Sequence, residues 1–152
     1  MPYEFRIRRR VHFQDTDTAG IIHFASYFRY MEEVETEFLF HLAELAGVVP
    51  GDAFFVVPRV AVSAEFLAPV RFGDMLDISI RCTHKGRSSI SYAFSFMHGD
   101  VQAARAQLKV VCVSKKEDGG FRSMPIPKEL DAVLEVAPSE PSLDSGAKVG
   151  RR

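Results

Sequence analysis

The 152-residue sequence contains no tryptophan and no asparagine, and it has only two cysteines, Cys82 and Cys112. Two cysteines do not make a disulfide framework, so a reduced, cytoplasmic compartment is the expected location. A surplus of either charge is also lacking, because 19 Lys+Arg offset 20 Asp+Glu to a net charge of -1. Without a basic surplus, nucleic acid is not an expected partner.

Long hydrophobic runs are missing as well. The longest apolar stretch, residues 53–58, is far shorter than the ~20 residues that a membrane span needs. No apolar run follows the basic N-terminus, so no secretory signal is expected. Phenylalanine is plentiful, with 13 residues, which indicates a core larger than a monomer of this size needs.

Hydrophobic periodicity predicts one strand, one long helix and four further strands. Residues 3–13 alternate, although Arg9 interrupts the apolar row. From Phe24 to Leu45 apolar residues recur every three or four positions, which predicts an amphipathic helix ending at Gly47. Short turns then join alternating runs that predict antiparallel strands near residues 60–66, 76–82, 88–97 and 104–112.

This order predicts an α+β fold with a five-stranded antiparallel sheet on one central helix. Pro127 opens a predicted short helix over residues 127–135. Residues 1–136 are expected to form one domain, and residues 137–152 a disordered tail. Small residues on one face of the strand at 88–97 would let another subunit approach, so we expect a homo-oligomer, a dimer or a tetramer.

The loop before the helix is the most informative stretch, because it places Asp15 and Asp17 at the mouth of the helix. A helix N-terminus presents free backbone N–H groups that can hold a developing oxyanion. A carboxylate beside it can attack a carbonyl or activate water. That combination suits acyl transfer. The alternative is that either aspartate caps a turn or the helix.

Residues 10–27 resemble the signature of the 4-hydroxybenzoyl-CoA thioesterase family. The matching places are Arg10-Val11, Thr16-Asp17, Gly20, Ile21-Ile22, Phe24 and Tyr27, with Ile22 where valine is usual. The resemblance implies the hotdog fold, in which a five-stranded antiparallel sheet wraps one long helix. It implies an enzyme that hydrolyses a small aromatic or short to medium aliphatic acyl-CoA, without a cofactor.

Carried over by position, the resemblance implies that Asp17 is the catalytic carboxylate, acting as nucleophile or as base for water. The backbone N–H of Phe24 would polarise the thioester carbonyl. Gly20 would let the loop turn tightly, and Tyr27 would pack the loop onto the helix. Asp15 is expected to be mainly structural.

Further candidate contacts are less sharply defined. His23 either lines the pocket or is an ordinary helix-start residue, and Glu32 either meets a hydroxyl of the acyl group or is solvated. The turn over residues 85–89 resembles the place where CoA phosphates dock, and an arginine suits phosphate by bidentate donation. The candidates there are Lys85, Arg87 and Ser88, with Arg122 and Lys128 as weaker ones.

Two other functions are weighed against a thioesterase. A hotdog hydratase or dehydratase is disfavoured, because Ala25-Ser26 rather than Pro-Gly follows His23-Phe24 and the chain has no asparagine. A non-catalytic acyl-CoA-binding protein is disfavoured by the intact Asp17 motif. The remaining histidines are scattered without the spacing of metal ligands, so no metal site is predicted.

Overall fold

One long helix and a five-stranded sheet make up most of the chain. The computed structural model describes residues 2–139. Its helices and strands are, in chain order, β1 (Glu4–Arg10), α1 (Phe24–Ala46), α2 (Asp52–Phe55), β2 (Arg59–Phe66), β3 (Met75–Lys85), β4 (Ser89–His98), β5 (Val101–Val111), β6 (Val113–Lys115), β7 (Phe121–Ser123) and α3 (Lys128–Val133).

The sheet has the strand order β1-β3-β4-β5-β2, and all neighbours are antiparallel. Strands β1 and β2 are therefore its two edges. Strands β6 and β7 form a separate two-stranded hairpin on either side of Asp118-Gly119-Gly120. The predicted α+β fold, with a five-stranded antiparallel sheet and one long helix, is confirmed.

The two ends of the sheet carry different loops. Strand β1 leads at Arg10, opposite Met75, into the loop before α1, and β2 ends on the same side at Phe66. The β3–β4 turn follows Lys85 at the other end. Because β3 has 11 residues, about 33 Å of extended chain separates the two ends.

The core lies between α1 and the inner face of the sheet. The helix contributes Val34, Phe38 and Leu42, each 0% exposed. Phe38 stacks on Phe5 of β1 and meets Tyr92 of β4 edge-on, with ring centroids 6.1 Å and 6.4 Å apart. These contacts join the helix to both an edge and the centre of the sheet. At the helix end, Gly47 adopts φ +67°, a left-handed conformation that favours glycine.

The inner face of β2 is only half covered. Val62 and Phe66 alternate as predicted, whereas Val60 lies at a register shift between Arg59 and Ala61. The three side chains stay 51%, 50% and 55% exposed, respectively. Within residues 2–139, β5 is the only strand that pairs with β2. Strand β2 is therefore unpaired along its outer edge, and its apolar side chains are less buried than those of β3 and β4.

The first strand is shorter than its alternating pattern predicts. It ends at Arg10, and residues Phe13–Asp15 form a 3₁₀ turn. The cause is local, because the Asp15 carboxylate accepts the backbone N–H of His12 at 2.8 Å and folds the chain back. Phe13 is consequently 80% exposed instead of facing the core.

The C-terminal part of the described chain stays attached to the sheet. The backbone N–H of Ala137 donates to the carbonyl of Cys82 at 2.8 Å. Residues 140–152 of the predicted tail lie outside the described residues, so the domain boundary stays a prediction. Among residues 2–139, no helix is long and apolar enough to cross a membrane.

Candidate active site

The loop before α1 is a tight turn that is tied to the sheet. The N–H of Asp17 donates to the carbonyl of Ile21 at 2.9 Å, and the N–H of Gly20 donates to the carbonyl of Asp17 at 3.0 Å. Gly20 adopts φ +77°, which most side chains disfavour, so the turn requires glycine there. A bridge between Ile21 and Arg71 attaches the turn to the chain that enters β3.

Only one of the two oxygens of the Asp17 carboxylate accepts a hydrogen bond within the described residues. One oxygen, Oδ1, accepts the N–H of Ala19 at 2.8 Å. The other oxygen has no hydrogen-bond partner within residues 2–139, and the side chain is partly exposed. The carboxylate lines a cavity of about 390 Å³. An oriented carboxylate with one free oxygen suits attack on a carbonyl or proton abstraction from water.

The start of α1 carries an unused backbone donor on a residue that lines the same cavity. No acceptor in the described part of the chain takes the N–H of Phe24, the first residue of the helix. Phe24 also lines the cavity beside Asp17. Asp17 and Phe24 thus line one cavity, and the roles that the resemblance implies for them stay predictions.

His23 caps the helix. Its Nδ1 accepts the N–H of Ala25 at 3.3 Å, and its ring lies against Phe24 with centroids 4.7 Å apart. It is not among the residues that line the cavity. Of the two roles expected for His23, the helix-start role is the one that these contacts support.

The cavity is mainly apolar and partly aromatic. Tyr27 is only 4% exposed and packs between Phe66 and Phe96, with ring centroids 5.2 Å and 5.0 Å away. The chain after β2 completes the lining with Leu67, Ala68, Pro69 and Val70. The residues from Phe66 to Val70 were not predicted as site residues. Their only sequence signal is that Phe66 ends an alternating run on the inward face.

Asp15 is buried away from the cavity. It is 1% exposed, and its Oδ2 accepts from Arg9 Nη1 and from the His12 N–H, both at 2.8 Å. Arg29 Nη2 lies 3.4 Å from Oδ1. Burial alone would raise the pKa of the Asp15 carboxyl, but the His12 N–H and the Arg9 guanidinium hold that pKa below its ordinary value of 3.8. The expected structural role of Asp15 agrees with these contacts.

Glu32 does not reach the Asp17 cavity within one chain. It lines a different groove, between α1 and β1, together with Arg8 and Glu37. Residues 27 and 32 lie about 140° apart around a helix, so they point to different sides. The contact predicted between Glu32 and the acyl group stays a prediction, and the cavity at Asp17 in the described chain does not include Glu32.

The predicted CoA-binding turn lies at the opposite end of the sheet from Asp17. Lys85 there donates from Nζ to Asp131 Oδ1 at 2.9 Å and to the Leu134 carbonyl at 2.7 Å, so its ammonium anchors α3. Arg87 is exposed and makes no side-chain hydrogen bond or ion pair within residues 2–139. Ser88 accepts the Cys112 N–H through its backbone carbonyl at 2.7 Å.

The weaker phosphate candidates lie at this same end of the sheet. The Ile126 N–H donates to the Arg87 carbonyl at 2.9 Å, which brings the chain between β7 and α3 against the turn. Arg122, on β7, and Lys128, at the start of α3, are both exposed. The structure thus places the three candidate cations Arg87, Arg122 and Lys128 at one end of the sheet and Asp17 at the other.

Comparison with known proteins places this geometry in a family. Residues 11–134 match the thioesterase-like superfamily. A 1,4-dihydroxy-2-naphthoyl-CoA hydrolase from Thermosynechococcus vestitus is 29% identical over 136 residues, which cover 89% of this chain and 91% of that protein. Acyl-CoA thioester hydrolase YbgC of Escherichia coli is 33% identical over 112 residues, which cover 72% of this chain and 81% of that protein.

The fold agrees with solved structures. The structure of 4-hydroxybenzoyl CoA thioesterase from Pseudomonas sp. strain CBS-3 superposes with a TM-score of 0.74 at 20% identity, over 87% of this chain and 99% of that one. The chain therefore belongs to the thioesterase-like superfamily. The predicted hotdog fold and the predicted enzyme class, a thioester hydrolase, are both confirmed.

Replacing Asp15 by asparagine tests its charge. Because its pKa is lowered on folding, the ionised carboxylate stabilises the fold at neutral pH, and this stabilisation is lost as the pH falls through the folded-state pKa, below 3.8. Asp15→Asn should cost about 3 kcal/mol at neutral pH. The free energy of unfolding of both proteins can be measured in urea between about pH 7 and about pH 3. The difference between Asp15→Asn and the unmodified protein should become smaller as the pH falls.

A surface carboxylate provides the control for this titration. Asp77, whose side chain is 55% exposed, pairs with Arg8 at 3.6 Å, and Asp77→Asn should change stability by less than about 1 kcal/mol. An Asp15→Asn deficit that stays constant across the pH range would contradict the assignment of a stabilising charge.

Proposed function

We propose that this thioesterase hydrolyses the thioester of a small acyl-CoA to the free acid and CoA, with Asp17 as the catalytic carboxylate. The single observation that carries the proposal is that Asp17 and Phe24 line one cavity and that the Phe24 N–H has no acceptor in the described part of the chain. A thioester carbonyl seated between them would accept the N–H. The carboxylate would then either attack the carbonyl carbon or take a proton from water that attacks it.

An aromatic acyl group suits the cavity best. Phe66 lines the cavity beside Asp17, and its half-exposed ring rests on the buried ring of Tyr27. Aromatic pairs favour stacked and edge-on contacts, which Phe66 can make with an acyl ring. The relative from Thermosynechococcus vestitus is named for a naphthoyl-CoA substrate. Short or medium aliphatic acyl-CoA is the second candidate, because apolar side chains make up the rest of the lining.

The separation of Asp17 from Arg87 supports a site that two subunits share. Strand β2 runs from the Arg87 end of the sheet to the Asp17 end, and its outer edge pairs with no strand of the described chain. Two copies joined through β2 about a two-fold axis would be antiparallel there. The Asp17 cavity of one copy would then lie beside the partner's Arg87.

This arrangement also explains the half-exposed row on β2, because a second copy would cover Val60, Val62 and Phe66. The small residues Ser91, Ala93 and Ser95 lie on the outer face of the sheet and supply a second surface for a tetramer. A cytoplasmic location remains part of the proposal and is supported by two free, buried thiols.

Asp17→Asn should lower kcat by roughly 10²- to 10⁴-fold, because it keeps the size of the side chain but removes the charge needed for attack or base catalysis. Release of free thiol from a panel of aromatic and aliphatic acyl-CoA esters measures both the loss and the preferred acyl group. Asp15→Asn should cost less than Asp17→Asn. Full activity of folded Asp17→Asn would refute the role of Asp17.

Arg87→Ala should raise KM several-fold and leave kcat nearly unchanged, because an exposed phosphate contact acts on binding rather than on the reacting bond. The effect should shrink as salt rises. KM for an acyl-pantetheine thioester, which lacks the nucleotide, should not change in Arg87→Ala. KM for the acyl-CoA should not change in Arg6→Ala, which removes an exposed arginine on β1. An equal loss with both substrates would place the nucleotide elsewhere, around Arg122 and Lys128.

Light scattering at micromolar concentration should give a multiple of the 17.0 kDa chain mass. Mixed oligomers of Asp17→Asn and Arg87→Ala chains should regain activity at low substrate concentration, because one site of each mixed pair then has both residues intact. A monomeric mass, or mixed oligomers without regained activity, would refute a site that Asp17 shares with the partner's Arg87.

A further inference from the structure

Asp15 forms hydrogen bonds through its backbone carbonyl as well as through its carboxylate. Its backbone carbonyl accepts the N–H of His23 at 2.8 Å and the hydroxyl of Ser26 at 2.9 Å. Ser26 is 1% exposed and its hydroxyl also accepts from Arg29 at 2.7 Å. Asp15 therefore holds the start of α1 through its carbonyl, while Arg9 and the His12 N–H hold its carboxylate from the β1 side.

Arg9 is the cation that interrupts the apolar row of β1, and its contacts explain why. Nη1 donates to Asp15 at 2.8 Å and to the Arg10 carbonyl at 3.0 Å, and Nε donates to Glu33 at 2.7 Å. The guanidinium lies 4.4 Å from the centre of the Tyr30 ring. With its side chain 18% exposed, Arg9 joins β1, the loop and α1 at one point.

These contacts form the base of the loop that carries the reacting groups. Asp17 follows Asp15 by two residues, and Phe24 directly follows His23, whose N–H binds the Asp15 carbonyl. The carboxylate and the N–H donor that would face the thioester carbonyl under the proposed function thus lie on two chain segments that the Asp15–His23 hydrogen bond joins. A shift of Asp15 would change the distance between them.

We propose that Arg9 and Asp15 are positioning residues for thioester hydrolysis, fixing the separation of the Asp17 carboxylate from the Phe24 N–H. The proposal rests on the role of Asp17 proposed above. Neither residue lines the cavity at Asp17, so neither is expected to touch the acyl group. Misplacement of reacting groups by about 1 Å costs on the order of 10²-fold in rate.

The test compares Arg9→Met, Arg9→Lys, Asp15→Asn and the double variant Arg9→Met/Asp15→Asn, each assayed at a temperature where circular dichroism shows it folded. The two single removals should lower kcat by about 10- to 100-fold and change KM by less than about twofold. Arg9→Lys keeps the charge but not the two-sided contact, so it should recover part of kcat. The double variant should be no slower than the slower single variant, because the pair acts as a unit.

Glu35→Gln is the matched control. Glu35 is 2% exposed and pairs with Arg59, at a distance from the loop, so its variant should change stability without lowering kcat. Unchanged kcat in Asp15→Asn and Arg9→Met, or an equal drop in Glu35→Gln, would overturn the proposal. The proposal would also be overturned if the loss of kcat in the double variant equalled the product of the losses in the two single variants. Asp17→Asn is assayed in parallel. If Asp17→Asn is inactive while Arg9→Met and Asp15→Asn keep full kcat, only the positioning role fails; if Asp17→Asn is active, the proposed function itself fails.

Discussion

The five-stranded sheet packs on one side of α1, and this packing determines where the cavity beside Asp17 lies. The central strands bury the inward face of the helix completely, but at β2 the cover ends. The cavity beside Asp17 opens at that edge, where Phe66 and the start of α1 meet. A fully closed core would have left no cavity at this edge, and a sixth strand would have paired with the outer edge of β2.

Asp15 and Asp17 are two residues apart, yet Asp15 is buried among polar groups and Asp17 lines an apolar cavity. Asp15 is held in the interior by a guanidinium and a backbone N–H, whereas Asp17, two residues later, reaches the cavity with one oxygen free. Two carboxylates of the same type thus have opposite environments. The buried one fixes the backbone, and the accessible one is available to react.

Much of this arrangement could be predicted from the sequence, and the failures have physical causes. Period-two and period-3.6 patterns located the five strands and α1, because those patterns report which face each segment buries. The depth of Asp15 could not be predicted, because it depends on Arg9 six residues earlier and on Arg29 in the helix. The likeness to a family assigned roles one residue at a time. It therefore could not show that Arg87 and Asp17 lie at opposite ends of one sheet, or that the Lys85 ammonium is already occupied by α3.

The two cysteines have a consequence for an enzyme whose product is itself a thiol. Cys82 and Cys112 are 0% and 1% exposed, and burial raises the pKa of the Cys82 thiol to about 11. Since thiolates are the species that exchange with disulfides, neither side chain is available to form a mixed disulfide with released CoA or its oxidised dimer. The folded enzyme can therefore accumulate its thiol product without being modified by it, and a thiol-reactive dye added to the native protein should report the product alone.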